Sequence, residues 1–333
     1  MPSHLSSLMA LSTLRDAALP DDIDAAPALL QLGRALQQSG YRFTTVTPLT
    51  HQRVNARPEN AWAATLRDVF GWSRPFRKGT LPAHIEHMLH AADIATPQQD
   101  GWRSMLRAST LGPYLFFHSA FPTSEADAVF FGPDTYRFIR ALELELAALA
   151  PRIWRAADIG CGAGPGAIAI AARCPQAEVL AIDINDAALQ LTAVNAALAG
   201  TANVKPCHSD LLSEVEGSFD LIVSNPPYLV DRSQRAYRDG GGALGAALSL
   251  AIVDAAIARL TPDGTLLMYT GAAVVDGDMP FLLAVAERLQ QAGCSWTVEE
   301  IDPDVFGEEL DEPAYAGTER IAAIWLKVCK TQK

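Results

Sequence analysis

Between Ile153 and Ile184 the chain reads strand, glycine turn, helix, strand, and that order leaves few folds open. Ile153–Ile159 is a short apolar run that passes into Asp158-Ile159-Gly160-Cys161-Gly162-Ala163-Gly164. The glycines permit a tight turn and close ligand approach. A helix from about Pro165 to Ala172 then offers N–H groups that have no intrahelical partner. Glu178–Ile184 follows as a second strand, with Asp183 placed 19 residues after Gly164. An acid there suits both hydroxyls of a ribose, as in doubly wound nucleoside sites. A third short strand near Val204 leads to Ser209-Asp210-Leu211, where Asp210 suits an adenine amine. Alone, the glycine turn is shared with dinucleotide enzymes and with plain turns.

The next strand-like run, Phe219–Val223, ends in Ser224-Asn225-Pro226-Pro227-Tyr228. The Asn225 side-chain oxygen and the Pro226 carbonyl can each accept one proton of a flat –NH2 group. Tyr228 offers a ring to lie against its plane. Pro226 and Pro227 restrict φ and remove competing donors. Such a pocket suits methyl transfer to nitrogen, with positioning as the main task. The plain alternative is an ordinary turn after a strand, and an NAD-type site gives no reason for this tetrapeptide.

Asp158, Gly160, Gly162, Gly164, Asp183, Asp210 and Asn225-Pro226-Pro227-Tyr228 stand in the order and spacing of class I S-adenosylmethionine methyltransferases. Within that class the chain resembles the release-factor glutamine methyltransferase group, over about Phe130 to Lys327. The resemblance implies S-adenosyl-L-methionine as cofactor. Gly160, Gly162 and Gly164 would pass its methionine part, and Asp158 would hold the loop or meet the donor's amino group. Asp183 would bind the ribose and Asp210 the adenine. Asn225, Pro226, Pro227 and Tyr228 would bind the acceptor. It also implies an α/β Rossmann-like doubly wound sheet with an antiparallel last strand. The turn Gly132-Pro133-Asp134-Thr135 resembles that group's turn before the catalytic domain. The group's Arg-Pro is Gly-Pro here, and its following acid is Tyr136.

Two domains are expected: a mainly helical N-terminal substrate-recognition domain over 1–122 and a methyltransferase domain over 123–333. Residues 1–24 are small and polar, and read as frayed or peripheral. Helices are expected over Ala25–Gln38, Glu59–Phe70 and Leu81–Ile94 from apolar spacing. Asp100-Gly101 then reads as a hairpin turn between short extended runs, the second being Tyr114–Phe117, an arrangement like a winged helix in outline. His84, His87 and His90 recur at three-residue steps but lack known ligand spacings, so no metal site is expected. Arg53, Arg57, Arg67, Arg74, Arg77 and Lys78 are interleaved with Trp62, Phe70, Trp72 and Phe76. This stretch reads as a solvated basic face over an aromatic core, with an RNA or acidic-protein surface as the rival.

Charge weighs on the acceptor. Residues 1–150 hold 13 Lys+Arg against 14 Asp+Glu, and residues 151–333 hold 13 against 24. An acidic catalytic half is a poor host for a phosphate backbone. A protein glutamine side chain, such as that of a translation release factor, is therefore the expected acceptor. An exocyclic amine of RNA or DNA and a small molecule are the rivals. The five cysteines form no C-x-x-C pair, and no apolar run approaches the ~20 residues needed to span a bilayer. A cytoplasmic protein without membrane partners is expected.

After Tyr228, Tyr237-Arg238-Asp239-Gly240-Gly241-Gly242 reads as a flexible loop over the site or an ordinary connection. A helix over Ala246–Leu260, a strand over Thr265–Thr270 and a helix over Pro280–Ala292 follow. Trp296–Ile301 and Ile321–Val328 read as a closing extended pair. The acidic stretch around Glu308, Glu309, Asp311 and Glu312 reads as a solvated loop, with selection of a basic substrate as the alternative.

Overall fold

The computed structural model describes residues 28–232, 235 and 237–331. The segment 1–24, expected to be peripheral, lies outside the described residues. Two compact units emerge: residues up to Ser124 with 129–133 and 193–200, and residues 125–128, 134–192 and 201–333.

In the first unit, helix α1 (Ala28–Gln38) buries Leu29, Leu30, Leu32 and Leu36 along one stripe and packs on helix α4 (Ala83–Ala91). Gly33 of α1 instead lets Leu198 and Phe117 approach closely, since a Cβ there would fall 2.6 Å from Leu198 Cδ1 and 2.9 Å from Phe117 Cε2. Between them lie α2 (Pro48–Asn55), capped by the Thr47 hydroxyl, and α3 (Leu66–Phe70), opened by a Thr65/Asp68 capping box. The helix expected over Glu59–Phe70 is thus a 3₁₀ turn at Pro58–Asn60 and a separate five-residue helix. Thr65 and Asp68 satisfy the backbone donors of a new start inside that stretch.

Two hairpins follow, β1 (Ala95–Gln98) with β2 (Gly101–Ser104) and β3 (Leu106–Leu111) with β4 (Tyr114–Ser119). Tyr114–Phe117 therefore pairs with β3 across Gly112-Pro113, not across Asp100-Gly101 as the sequence suggested. Asn195 pins β4, its side chain accepting from Phe117 N–H at 2.8 Å and donating to Phe117 C=O at 3.0 Å. In the basic stretch, Phe70 and Phe76 are core and Arg74 is buried on Asp68 and Asn55. Arg77 lies 4.2 Å over the Trp62 ring, and Arg53, Arg57, Arg67 and Lys78 are exposed.

The second unit is a seven-stranded sheet. The remaining elements of the chain, in order, are α5 (Pro133–Leu149), β5 (Arg155–Ile159), α6 (Pro165–Arg173), β6 (Glu178–Asp183), α7 (Asp186–Ala199), β7 (Val204–His208) and β8 (Phe219–Ser224). Then come α8 (Ala247–Arg259), β9 (Leu260–Val274), α9 (Pro280–Ala292), β10 (Cys294–Asp302) and β11 (Arg320–Lys330). Strand order is β10-β11-β9-β8-β5-β6-β7. The run β7-β6-β5-β8-β9 is parallel, and β11 lies antiparallel between β9 and β10. Sheets of this kind bury both faces. Ile222, Leu266, Met268 and Ile324 pack with Val253, Val285 and Leu289 of α8 and α9. On the opposite face, Trp325 meets Phe138 of α5. The start of β5 is tied to β8 by Asp220, which accepts the Trp154 and Arg155 N–H groups at 2.9 and 3.0 Å. Among the described residues, no helix is long and apolar enough to cross a membrane.

Candidate functional site

The register Ile159↔Ser224 brings the ends of β5 and β8 to the same level. The buried Ser224 hydroxyl donates to Ile159 C=O at 2.7 Å and fixes them there. The glycine loop and Asn225 therefore leave neighbouring strands side by side. Ligands of open α/β sheets bind at such carboxyl ends.

The loop is anchored on β6: Gly160 and Cys161 N–H both donate to Ile182 C=O, at 2.8 and 2.9 Å. All three loop glycines have positive φ, 69° at Gly160, 54° at Gly162 and 85° at Gly164. They are not equivalent. A Cβ at Gly164 would fall 2.8 Å from Thr192 Cγ2, so that glycine serves packing. A Cβ at Gly160 would meet nothing within 4 Å, so that glycine faces open space. The Thr192 hydroxyl also donates to Gly162 C=O at 2.9 Å. Cys161 is buried, and burial pushes its thiol well above the usual range.

Asp183 holds the loop from the side. Its Oδ2 accepts Gly162 N–H at 2.9 Å, and its Oδ1 accepts Asn185 N–H at 2.9 Å. Burial raises its pKa, opposed by these backbone donors. Asp158, 2% exposed, turns towards α6 and accepts Ala167 N–H at 2.8 Å. A Cβ at Gly166 would stand 2.6 Å from Asp158 Oδ2, so the carboxylate closes directly over the helix start. Burial pushes Asp158 from 3.8 to about 7. The placement is that of a group holding the loop. Asp210 follows β7 with an exposed carboxylate, its backbone C=O accepting from the Ser213 hydroxyl at 2.8 Å. Ile184, 56% exposed beside Asp183, escaped the sequence reading. Its signal was an apolar residue directly after the acid that ends β6.

Asn225 is half-buried and Pro226 buried. Tyr228 is 6% exposed, and its hydroxyl donates to Asp134 Oδ2 at 2.6 Å. One side of its ring lies on Gly271, where a Cβ would stand 2.2 Å from Cδ2, and Phe306 meets it at 67°. Asp134 Oδ1 accepts from Tyr269 at 2.9 Å and pairs with Arg137 at 2.9 Å, and Arg137 reaches Asp302. Burial, reinforced by the Asp134 charge, pushes both tyrosine hydroxyls up. The sequence shows Asp134 only as part of the Gly132–Thr135 turn, with no sign of these partners.

The glycine run 240–242 reads differently in three dimensions. A Cβ at Gly240 would meet Gly245 C=O at 2.0 Å and Pro227 C=O at 2.8 Å. Gly240 N–H donates to Leu229 C=O at 2.8 Å. The first glycine thus serves close backbone approach to Pro227 and Tyr228. The acidic stretch is likewise engaged. Glu309, 8% exposed, pairs with Arg238, and Glu312 pairs with Arg232 at 2.8 Å. The Tyr315 hydroxyl accepts Val230 N–H at 3.0 Å. Next to them, hydrogen bonds from Arg235 hold Asp231 down at about 2. Local composition suggested a solvated loop because the arginine partners lie some 70 residues earlier. Among the described residues, no group of three or more His, Cys, Asp or Glu is arranged to hold a metal ion.

This sheet order, with the glycine loop, Asp183 and Asn225–Tyr228 at its carboxyl ends, is the α/β arrangement of class I S-adenosylmethionine-dependent methyltransferases. Residues 140–275 match the family model described as methyltransferase small domain. Within the class, the chain is similar to release factor glutamine methyltransferases. That of Deinococcus radiodurans is 36% identical over 199 residues, 56% of this chain and 66% of that one. That of Koribacter versatilis is 35% identical over 188 residues, 53% and 62% of the two. A ribosomal protein uL3 glutamine methyltransferase of Neisseria gonorrhoeae is 33% identical over 130 residues, 36% and 44%. The matched stretch thus spans less than two thirds of each of these relatives.

Proposed function

We propose that the chain is an S-adenosylmethionine-dependent N-methyltransferase acting on a planar amide or amine nitrogen, foremost a protein glutamine side chain. The observation that carries this reading is the Ile159↔Ser224 register, which sets Asn225-Pro226-Pro227-Tyr228 beside the glycine loop. Similarity to release-factor and ribosomal-protein glutamine methyltransferases supports a protein of the translation apparatus, a release factor foremost, as partner.

The residues fit the donor. Gly160 opens onto free space, Asp183 stands at the loop with its carboxylate, and Ile184 and Asp210 expose an apolar and an acidic side chain beyond it. Gly160, Gly162 and Gly164 would pass the methionine part. Asp183 would take the ribose hydroxyls, Ile184 and Asp210 the adenine. When bound, the donor supplies a methyl group already activated on sulfonium.

The protein's share is positioning. The Asn225 side-chain oxygen and the Pro226 carbonyl accept the two protons of the acceptor nitrogen. That hold favours the tetrahedral nitrogen over the delocalised amide, so it strengthens as the transition state forms. Tyr228 bounds the plane of the group, and the proton leaves after transfer. The first unit, with its helices and two hairpins of winged-helix-like make-up, serves substrate recognition. The five free cysteines fit a reducing, cytoplasmic setting.

Incubation with methyl-labelled S-adenosylmethionine and a cell extract, partitioned into protein, nucleic acid and small molecules, tests the reading. Label in the protein fraction, lost with Asn225→Ala while donor affinity persists, is expected. Label confined to nucleic acid or small molecules refutes the protein acceptor, and full turnover by Asn225→Ala refutes the mechanism.

A further inference from the structure

The hydroxyl of Tyr228 has a function that stacking does not require. A phenylalanine would offer the same ring face to an acceptor, yet here the hydroxyl is buried and spent on one partner, Asp134 Oδ2, at 2.6 Å. Asp134 is itself 6% exposed and sits in the first turn of α5. Its other oxygen is taken by Tyr269 of β9 and by Arg137, both at 2.9 Å. Arg137 in turn donates to Asp302, the last residue of β10, at 2.9 Å. One carboxylate thereby ties together the acceptor motif, the middle of β9, the start of α5 and the end of β10. A charge-assisted hydrogen bond to a buried carboxylate is short and directional. Gly271 completes the hold from below, since only a glycine lets the Tyr228 ring lie on the β9 backbone.

We propose that Asp134 is a positioning residue for methyl transfer, acting through the Tyr228 hydroxyl to set where the Asn225 side chain and the Pro226 carbonyl stand. The proposal rests on the N-methyltransferase reading above and adds a part to it. Asn225 itself makes no hydrogen bond to another described residue that would fix its side chain. Its placement depends on the backbone of residues 225–228, and that backbone is held at one end by Ser224 and at the other by Tyr228. Releasing the Tyr228 end leaves donor contacts untouched and lets the acceptor groups drift. A misplacement of about 1 Å at reacting groups costs about 100-fold in rate.

The test uses the full chain, labelled S-adenosylmethionine and the acceptor fraction of a cell extract, with four variants. Tyr228→Phe and Asp134→Asn are each expected to lower kcat by about 10- to 100-fold. Donor affinity by calorimetry should stay within about twofold, as the proposal places neither residue at the donor. The double variant Asp134→Asn/Tyr228→Phe should be no slower than the slower single variant, because both remove one device. Asn203→Ala serves as the stability control: it breaks buried-side hydrogen bonds to Cys174 and Ala177 at the far edge of the sheet. It should lower the urea midpoint while leaving kcat unchanged. Multiplying losses in the double variant, or an equal kcat loss in Asn203→Ala, would show that Asp134 matters only for stability and overturn the proposal. Absence of transfer by the unmodified chain to any fraction would instead overturn the reading on which it rests.

Discussion

Replacing Asp158 by Asn probes the electrostatics of the donor loop. Asp158 is 2% exposed, and burial pushes its carboxyl from 3.8 to about 7, opposed by the Ala167 N–H and reinforced by the Asp183 charge. A shift of about three units disfavours the ionised form in the folded state by about 4 kcal/mol. The sign follows from proton counts. Between pH 3.8 and about 7 the folded protein keeps a proton that the unfolded chain has lost, so stability falls as pH rises through that window. Above it the loss is complete. From pH 5 to pH 8 the loss from this group amounts to about 3 kcal/mol. Asparagine keeps an oxygen for Ala167 N–H and carries no charge, so it lacks this pH dependence. Urea unfolding of both proteins across that range, followed by fluorescence, isolates the term, since every other titrating group cancels in the difference. The gap should widen in favour of Asp158→Asn by about 3 kcal/mol on going from pH 5 to pH 8. A gap that stays constant with pH would refute the claim that a buried carboxylate is held against its ionisation here. S-adenosylmethionine carries a sulfonium and an ammonium, so its binding should draw Asp158 towards the charged form and release a proton near neutral pH. Calorimetry in buffers of different ionisation enthalpy reads that proton.

Asp183→Ala removes the carboxylate that faces the glycine loop and should weaken S-adenosylmethionine binding in calorimetry; an unchanged affinity rejects its assignment. Gly271→Ala places a Cβ 2.2 Å from Tyr228 Cδ2, so the ring or β9 must give, at a cost of about 1–3 kcal/mol. Transfer should fall with donor affinity preserved, and wild-type turnover would show that the ring position is immaterial. Asn195→Ala strips both buried backbone groups of Phe117 of their partners and should destabilise the first unit by about 2–5 kcal/mol, read by urea unfolding. A change below about 0.5 kcal/mol would mean that water replaces the amide without loss.

The fold around the glycine loop was legible because each of its determinants is local. The strand, the glycine turn and the acid at the end of the next strand lie within about thirty residues, and each shows in a short window as a period or a composition. That Asn225–Tyr228 follows a strand was legible for the same reason, from the apolar run Phe219–Val223 directly before it. The first unit was read less well where polar side chains overrode apolar spacing. Thr65 and Asp68 cap a new helix in the middle of the stretch Glu59–Phe70 that reads from sequence as one helix, and the second hairpin turns at Gly112-Pro113.

What the sequence hid was the pairing of polar groups across distance. Asp134 meets Tyr228 across 94 residues and Tyr269 across 135, and Glu309 meets Arg238 across 71. An apolar residue announces its burial by its period, because burial needs only a face. A carboxylate in the first turn of a helix looks alike whether it is solvated or buried, because its partners are fixed by strand register and not by its neighbours in the chain. The same holds for a glycine: Gly160 and Gly164 are indistinguishable in the motif, yet one faces open space and the other faces Thr192. Sequence therefore identifies the groups that would carry the chemistry, while the fold decides which side chains hold them still, and for a reaction whose protein contribution is alignment the second set matters as much as the first.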